Sequence, residues 1–182
     1  RVLFRSDTFE ATVSLFDVGD RYGNEQPRLY LAQDSTVTAS QVRMQAGSRH
    51  TDAILGLGES NDINTQTIWI GPNNAKGRME FAPGLSSPAA VFRGTTGGSS
   101  RVQDINVGWR TGGAQRTYGA IDFSGGNVDV LVSNLNIGRG RDHAGGDHFG
   151  VGEVTFDNGT IDATTVNMGG GVRGNADLNV NN

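Results

Sequence analysis

Short segments of the form apolar–x–apolar, in which x is any residue, recur along the chain at nearly constant intervals. The segments at 29–31, 37–39 and 42–44 return at 55–57, 63–65 and 68–70, with the same spacing inside each set. Alternation with a period of two is typical of a strand with one buried face. Each set of three segments therefore predicts one unit of three short strands.

The unit returns three more times with changes in length. We place the unit boundaries at 29–53, 54–78, 79–119, 120–152 and 153–176. The third unit contains an insertion at about 83–101 that does not align with the others. A glycine follows the third segment in most units, where a tight bend would require positive φ.

A single unit buries too few side chains to fold alone. About six inward side chains contribute roughly 1.5–3 kcal/mol each, whereas ordering about 25 residues costs on the order of 1.5 kcal/mol per residue. Neighbouring units must stack, so we predict an all-β parallel β-helix (β-solenoid) with three short strands and about 25 residues per coil. One predicted interior column consists of Leu31, Leu57, Phe81, Phe123, Phe156 and Val180.

The competing prediction is an antiparallel meander. The segment from Asp157 to Thr160 fits a type I′ hairpin turn, because it contains Asn158-Gly159. The corresponding corners at 33–35 and 59–61 contain no such pair. A corner that does not need Asn-Gly favours parallel stacking.

Composition is consistent with one ordered domain. The 182 residues include 28 glycines and no cysteine, so neither disulfides nor thiolate metal sites hold the fold. The net charge of −4 gives no reason to expect nucleic acid as a partner. No apolar run approaches the roughly 20 residues of a membrane-spanning segment.

The first six residues resemble the translation of a sequencing adapter of the kind left at the ends of metagenomic contigs. We therefore interpret residues 7–182 as a single β-solenoid segment. Neither end shows a polar cap, and an open sheet end invites further pairing. We expect the natural protein to continue with further coils in both directions.

Two stretches resemble the autotransporter-associated β-strand repeats of large secreted bacterial proteins. They are the run from Glu153 to Gly169, EVTFDNGTIDATTVNMG, and Tyr118 to Gly125 together with Leu135 to Gly138. The resemblance implies a β-helix passenger, export to the cell surface or outer membrane, and adhesion. It supplies no catalytic residue.

The best metal candidate is the glycine-containing segment 141–148. Asp142 and His143, then Asp147 and His148, form two Asp-His pairs five residues apart. Imidazole and carboxylate groups suit zinc or a similar divalent ion. The alternative is a solvated loop that lengthens one coil, with no metal.

Acidic residues supply the only candidate catalytic groups. Glu80 and Asp122 should stack in one outward column, and Asp129 and Asp162 in another. Stacked carboxylates could hold calcium and substrate, as in β-helix polysaccharide lyases. The alternative is the ordinary solvated face of a sheet, since a pair of neighbouring acids is only a weak indication of a catalytic site.

Outward aromatic and basic residues are the candidate contacts for a glycan or a neighbouring surface. Trp69 lies between two inward residues, and Tyr30 and Arg43 should point outward at neighbouring positions. Basic residues also occupy the loops after the third strand and should share one edge; they are Arg21, Arg28, Arg49, His50, Lys76, Arg78, Arg110, Arg116, Arg139, Arg141 and Arg173. Asn106, Asn136 and Asn167 should form an amide ladder.

These observations predict a structural or adhesive segment of a secreted or cell-surface bacterial protein, non-catalytic and without a cofactor. Its expected partner is a glycan or the surface of a host or neighbouring cell. The alternative is a β-helix polysaccharide lyase or hydrolase that acts on an acidic glycan. In that case the insertion 83–101 would form a cleft over Glu80, Asp122 and Asp129.

Overall fold

The computed structural model describes residues 2–3, 7–19, 26–47, 52–110, 116–140, 149–171 and 173–181. These residues form an all-β structure without a helix. The strands are β1 (Val2–Leu3), β2 (Thr8–Val18), β3 (Arg28–Tyr30), β4 (Asp34–Met44), β5 (Ala46–Gly47), β6 (Ala53–Leu57), β7 (Ser60–Ile70), β8 (Ala75–Phe81), β9 (Ala89–Arg93), β10 (Val102–Trp109), β11 (Thr117–Arg139), β12 (Gly150–Met168) and β13 (Gly174–Val180). All of them belong to one 13-stranded sheet.

Equivalent positions of successive units pair side by side and in parallel, as the repeat predicts. In the first segment Leu29 pairs with Leu55, Leu55 with Met79, and Met79 with Ile121. The predicted file of phenylalanines is present: the rings of Phe81 and Phe123 lie 5.3 Å apart. The antiparallel meander is wrong, because β5 with β8 is the one antiparallel pair among the described strands.

The prediction of a β-solenoid with three short strands per coil is wrong. The strands form one sheet that closes as a four-strand parallel barrel, in which β7 pairs with β10, β10 with β11, β11 with β9, and β9 with β7. The strands are also long: β7 has 11 residues, β12 has 19 and β11 has 23. The pairing of β4 with β7 runs from Asp34 to Met44, so the ladder passes through positions that the sequence pattern suggested as strand ends.

The segment 83–101, which does not align with the repeat, contains one strand of the sheet. Residues Ala89–Arg93 form β9, which pairs with Ser60–Asn64 of β7 and with Asn127–Val130 of β11. β9 and β10 thus occupy one layer between the two longer strands. The loop 94–101 separates β9 from β10 and is closed by a hydrogen bond from the Gly94 N–H to the Ser100 carbonyl, 3.0 Å.

The core consists of apolar side chains that alternate with outward residues along each strand. Phe92 and Phe123 lie inside the closed ring, each only 2% exposed, with their rings 5.5 Å apart. The predicted amide ladder is confirmed. Asn167 donates to Asn136 over 2.8 Å, and Asn136 donates to Asn106 over 2.9 Å. Asn106 and Asn136 are themselves buried, so the ladder satisfies polar groups that water does not reach.

Apolar side chains are exposed on the strands at the N-terminal and C-terminal ends of the sheet. Val13 and Leu15 lie on β2, which pairs only with β4 among the described strands. At the other end the exposed residues are Val166, Met168, Leu178 and Val180. No helix of the described residues could cross a membrane.

Candidate functional site

Glu80 and Asp122 are direct neighbours on β8 and β11, as predicted. Arg78 lies between them: its guanidinium is 3.5 Å from a Glu80 carboxylate oxygen and 3.8 Å from one of Asp122. The same guanidinium is 3.9 Å from Asp52. The pair is therefore part of an ion-pair network around one arginine.

A tyrosine borders this network. Tyr118 donates to Glu153 over 3.3 Å and pairs with Lys76 on β8. Burial raises the pKa of the Tyr118 phenol, and the negative charge of Glu153 adds to this effect. The phenol is thus a poor general base near neutral pH.

The prediction that Asp129 and Asp162 stack is wrong. Asp129 pairs with Thr160, while Asp162 pairs with Leu131. The register shifts between Phe123 and Asn127, where β11 carries a bulge. The bulge takes up two residues, so the second segment is displaced by one full pleat repeat and Val130 pairs with Ile161. The third segment keeps its aligned partners, since Leu135 pairs with Val166.

Each of these two acids is bound by its own arginine. Arg93 binds the Asp129 side chain and also donates to the carbonyls of Asp129, Phe92 and Gly98. The Arg93 guanidinium therefore connects β9 and the following loop to β11.

Arg101 makes the corresponding connection on the other side of the loop 94–101. It donates to the Asp162 carboxylate over 2.6 Å and to the carbonyls of Asp162 and Val132. The hydrogen bond from Arg101 lowers the pKa of Asp162. These guanidinium groups tie the loop to β11 and β12.

The three predicted glycan-contact residues are not brought together. Arg43 and Trp69 are neighbours on β4 and β7, but Arg43 forms an ion pair with Asp17. Tyr30 lies on β3, which pairs with β1 and β6. Its ring covers Gly56, where an added Cβ would lie 2.4 Å from it. Tyr30 therefore belongs to a different part of the sheet from Trp69.

The predicted metal ligands Asp142, His143, Asp147 and His148 lie outside the described residues. Within the described ranges, no three His, Asp or Glu side chains are grouped so that they could hold a metal ion. Of the acids proposed as calcium ligands, Glu80 and Asp122 are the two that the described part of the sheet places side by side.

The sequence analysis missed a cluster that combines arginines with aromatic rings, which we call the arginine corner. It consists of Trp109, Arg116, Arg139, Phe149 and Arg173. Arg116 and Arg173 lie 5.2 and 5.4 Å from the centre of the Phe149 ring. Arg139 lies 5.2 Å from the centre of the Trp109 ring. The basic loop residues pointed to this edge, but Trp109 and Phe149 follow no recurring spacing that would have indicated aromatic partners.

Two columns of the sheet build the arginine corner. Arg116, Phe149 and Arg173 immediately precede β11, β12 and β13, whose first residues pair in register. Trp109 and Arg139 pair directly at the ends of β10 and β11. The two columns lie close together, because an added Cβ at Gly150 would lie 1.8 Å from the carbonyl oxygen of Arg139.

Comparison of the chain with protein-family models, with curated proteins and with solved structures found no match. The resemblance to autotransporter-associated repeats therefore stays a hypothesis.

Proposed function

We propose that this chain is a non-catalytic structural or adhesive segment of a secreted or cell-surface bacterial protein. The proposal does not require a β-solenoid. It requires a stable parallel sheet that presents outward side chains to a glycan or to a neighbouring surface.

The observation that carries the proposal is that the candidate catalytic acids form ion pairs with arginines. Glu80, Asp122, Asp129 and Asp162 each lie in an ion pair with an arginine. Arg93 and Arg101 also donate hydrogen bonds to backbone carbonyls of β11 and β12. A guanidinium held by several oxygens fixes strand positions, because its planar donors match them in a defined geometry. This arrangement favours a structural role for the acids over proton transfer.

Export and surface exposure rest on the resemblance to repeats of secreted bacterial proteins. Repeated segments pair in parallel and in register, which agrees with the strand arrangement that the resemblance implies. This pairing says nothing about the biological role. The absence of cysteine is compatible with either an oxidising or a reducing compartment. The full-length gene tests the localisation: an export signal before this segment or a surface anchor after it supports the proposal, and a complete gene with neither overturns it.

Turnover assays test the non-catalytic part. The folded protein is incubated with polygalacturonate and with alginate, and new chain ends are measured. We expect no turnover above a heat-denatured control. Turnover that is lost on Asp122→Asn would overturn the proposal and favour a lyase or hydrolase that uses the Glu80–Asp122 pair.

Adhesion is tested with beads that carry the protein at one terminus. We expect more beads to stay on a polysaccharide-coated surface under flow than beads with denatured protein. If beads with folded protein and beads with denatured protein are retained equally on every polysaccharide tested, the adhesive role is overturned and only the structural role is left.

A further inference from the structure

We propose that an uncharged ridge on the outside of the sheet binds a neutral, extended polysaccharide, with Trp69 packed against one sugar ring. This inference rests on the proposed function and deepens it, because it names the chemical class of the glycan and the surface that contacts it. Of the residues predicted as glycan contacts it keeps Trp69 and leaves out Tyr30 and Arg43.

The ridge lies where the second segment of each repeat meets the third. The strands pair in register there, from Gln41 on β4 to Thr165 on β12. Each of five layers contributes two consecutive residues, and we define the polar ridge as these positions: 40–41, 66–67, 103–104, 133–134 and 164–165. All of them are exposed or half-buried, so a ligand can reach them.

The polar ridge carries almost no charge. Nine of its ten residues are Ser, Thr, Gln or Asn, and the tenth is Asp104. Arg43 and Arg101, each two residues away from it along the chain, contact Asp17 and Asp162. Hydroxyl and amide side chains both donate and accept hydrogen bonds, as the hydroxyl groups of a sugar do, and they lose less hydration than ions when a ligand covers them. The ridge therefore matches a neutral sugar chain better than an acidic one.

Hydrogen bonds between neighbouring strands hold several side chains of the ridge in place. The Gln66 amide donates to the amide oxygen of Gln103 over 3.0 Å, and the Asn134 amide donates to the Asp104 carboxylate over 2.9 Å. Side chains that are fixed before binding lose less conformational entropy when a ligand arrives. An amide group has more donor and acceptor sites than these bonds use, so hydrogen-bonding capacity remains for a sugar.

Trp69 adds an apolar surface beside the ridge. It lies two residues beyond Thr67 on β7, a separation of about 7 Å along a strand. Its side chain is half-buried, and its neighbours in the sheet are Arg43 and Asn106. An indole ring offers a flat face to the C–H groups of a sugar and an N–H to a hydroxyl. Trp69 thus supplies the apolar contact that the ridge itself lacks.

The layered geometry favours an extended polymer over a single sugar. Neighbouring strands lie about 4.8 Å apart, so the five layers span roughly 19 Å across the strands. Each layer presents the same kind of side chain, which suits a ligand whose hydroxyl groups repeat along a straight chain. Once the first sugar is bound, each further contact is intramolecular, so individually weak contacts become effective together.

The test measures binding of the immobilised protein to three neutral, extended polysaccharides: hydroxyethylcellulose, arabinoxylan and glucomannan. Polygalacturonate is the acidic control. We expect binding to at least one neutral polymer that stays constant as salt is raised, and about tenfold weaker binding to polygalacturonate. A hexasaccharide of the bound polymer should bind about tenfold more tightly than its disaccharide. The inference is overturned by no binding to any of the three neutral polymers, by a preference for polygalacturonate, or by equal affinities for the hexasaccharide and the disaccharide.

A double variant tests the ridge itself. Gln66→Ala with Gln103→Ala removes two exposed amides outside the core and should weaken binding about tenfold. Asn179→Ala is the matched control, because it removes an exposed amide from β13, and it should leave the affinity unchanged. Equal losses for the double variant and the control would refute the assignment to the ridge.

Tryptophan fluorescence tests the place of Trp69 without altering it. The chain has two tryptophans, so Trp109→Phe leaves Trp69 as the only one. We expect this variant to bind as the unmodified chain does and its emission to shift when the polymer is added, since the indole exchanges water for a sugar ring. Trp69→Ala should weaken binding about tenfold. Binding by Trp109→Phe without any change in emission would remove Trp69 from the site.

The adhesion assay distinguishes this inference from the proposed function. Beads that carry the double variant should lose retention on the neutral polysaccharide that the unmodified chain binds. If they are retained as well as beads with the unmodified chain, the adhesive role survives and the polar ridge is not its site.

Discussion

Replacement of Phe123 by alanine is the most direct test of the closed ring of strands. The side chain is 2% exposed, and its ring lies 5.3 Å from that of Phe81 and 5.5 Å from that of Phe92. Truncation removes a buried ring and leaves a cavity that neighbours on β8 and β9 cannot fill without moving. We expect Phe123→Ala to lower the free energy of unfolding by about 3–5 kcal/mol, part of it from the lost ring contacts.

Phe156 supplies a matched control, because it pairs with Phe123 in register one layer further along the sheet. It is only partly buried, so Phe156→Ala should cost about 1–2 kcal/mol. The measurement is urea unfolding followed by the fluorescence of Trp69 and Trp109. An equal or larger loss for Phe156→Ala would refute the position of Phe123 inside the ring and the core built around it.

Three further predictions follow from single contacts. The pKa of Asp162, followed by NMR titration, should lie below its ordinary value of 3.8 and return to it in Arg101→Gln; because the folded-state pKa is lowered, the associated stability is complete above the ordinary value and is lost as the pH falls through the lowered one. Gly108 has φ of +59°, and an added Cβ would lie 1.7 Å from the carbonyl oxygen of Val151. Gly108→Ala should therefore cost about 3 kcal/mol in a thermal unfolding assay, whereas Gly125→Ala, with positive φ but open space, should cost about 1 kcal/mol; equal losses would contradict the close approach. Asn136→Ala should cost about 1–3 kcal/mol in urea unfolding, because it breaks both bonds of the amide ladder and removes the donor to the buried amide oxygen of Asn106; an unchanged midpoint would show that the ladder is not a stabilising feature.

The repeat in the sequence was a good guide to which residues become neighbours. Leu29, Leu55 and Met79 pair as their positions in the repeat predict, because an apolar side chain placed one residue out of register would face the wrong side of the sheet. The alignment failed between Asp129 and Asp162. Nothing in the local sequence announces that the bulge after Phe123 takes up two residues, since glycine-rich segments are compatible with several bends.

For the candidate site, sequence reasoning found the components but not their partners. It named Glu80 and Asp122 as neighbours, yet the position of the Arg78 guanidinium between them depends on rotamers that only the packed sheet selects. It named the basic edge that contains Arg116, Arg139 and Arg173. It did not identify Phe149 as the ring between two of these arginines, because these three residues are far apart in sequence.

Local order along the chain thus determined the all-β class, the parallel pairing and most of the register, since alternation of apolar residues and their spacing are properties of the chain itself. The tertiary structure alone decided that β9 and β10 share one layer and close a ring with β7 and β11. It also decided which arginine meets a carboxylate and which meets an aromatic ring. Those choices depend on how a long strand bends and on contacts between distant segments, whose energies are comparable in several arrangements until the whole sheet is assembled.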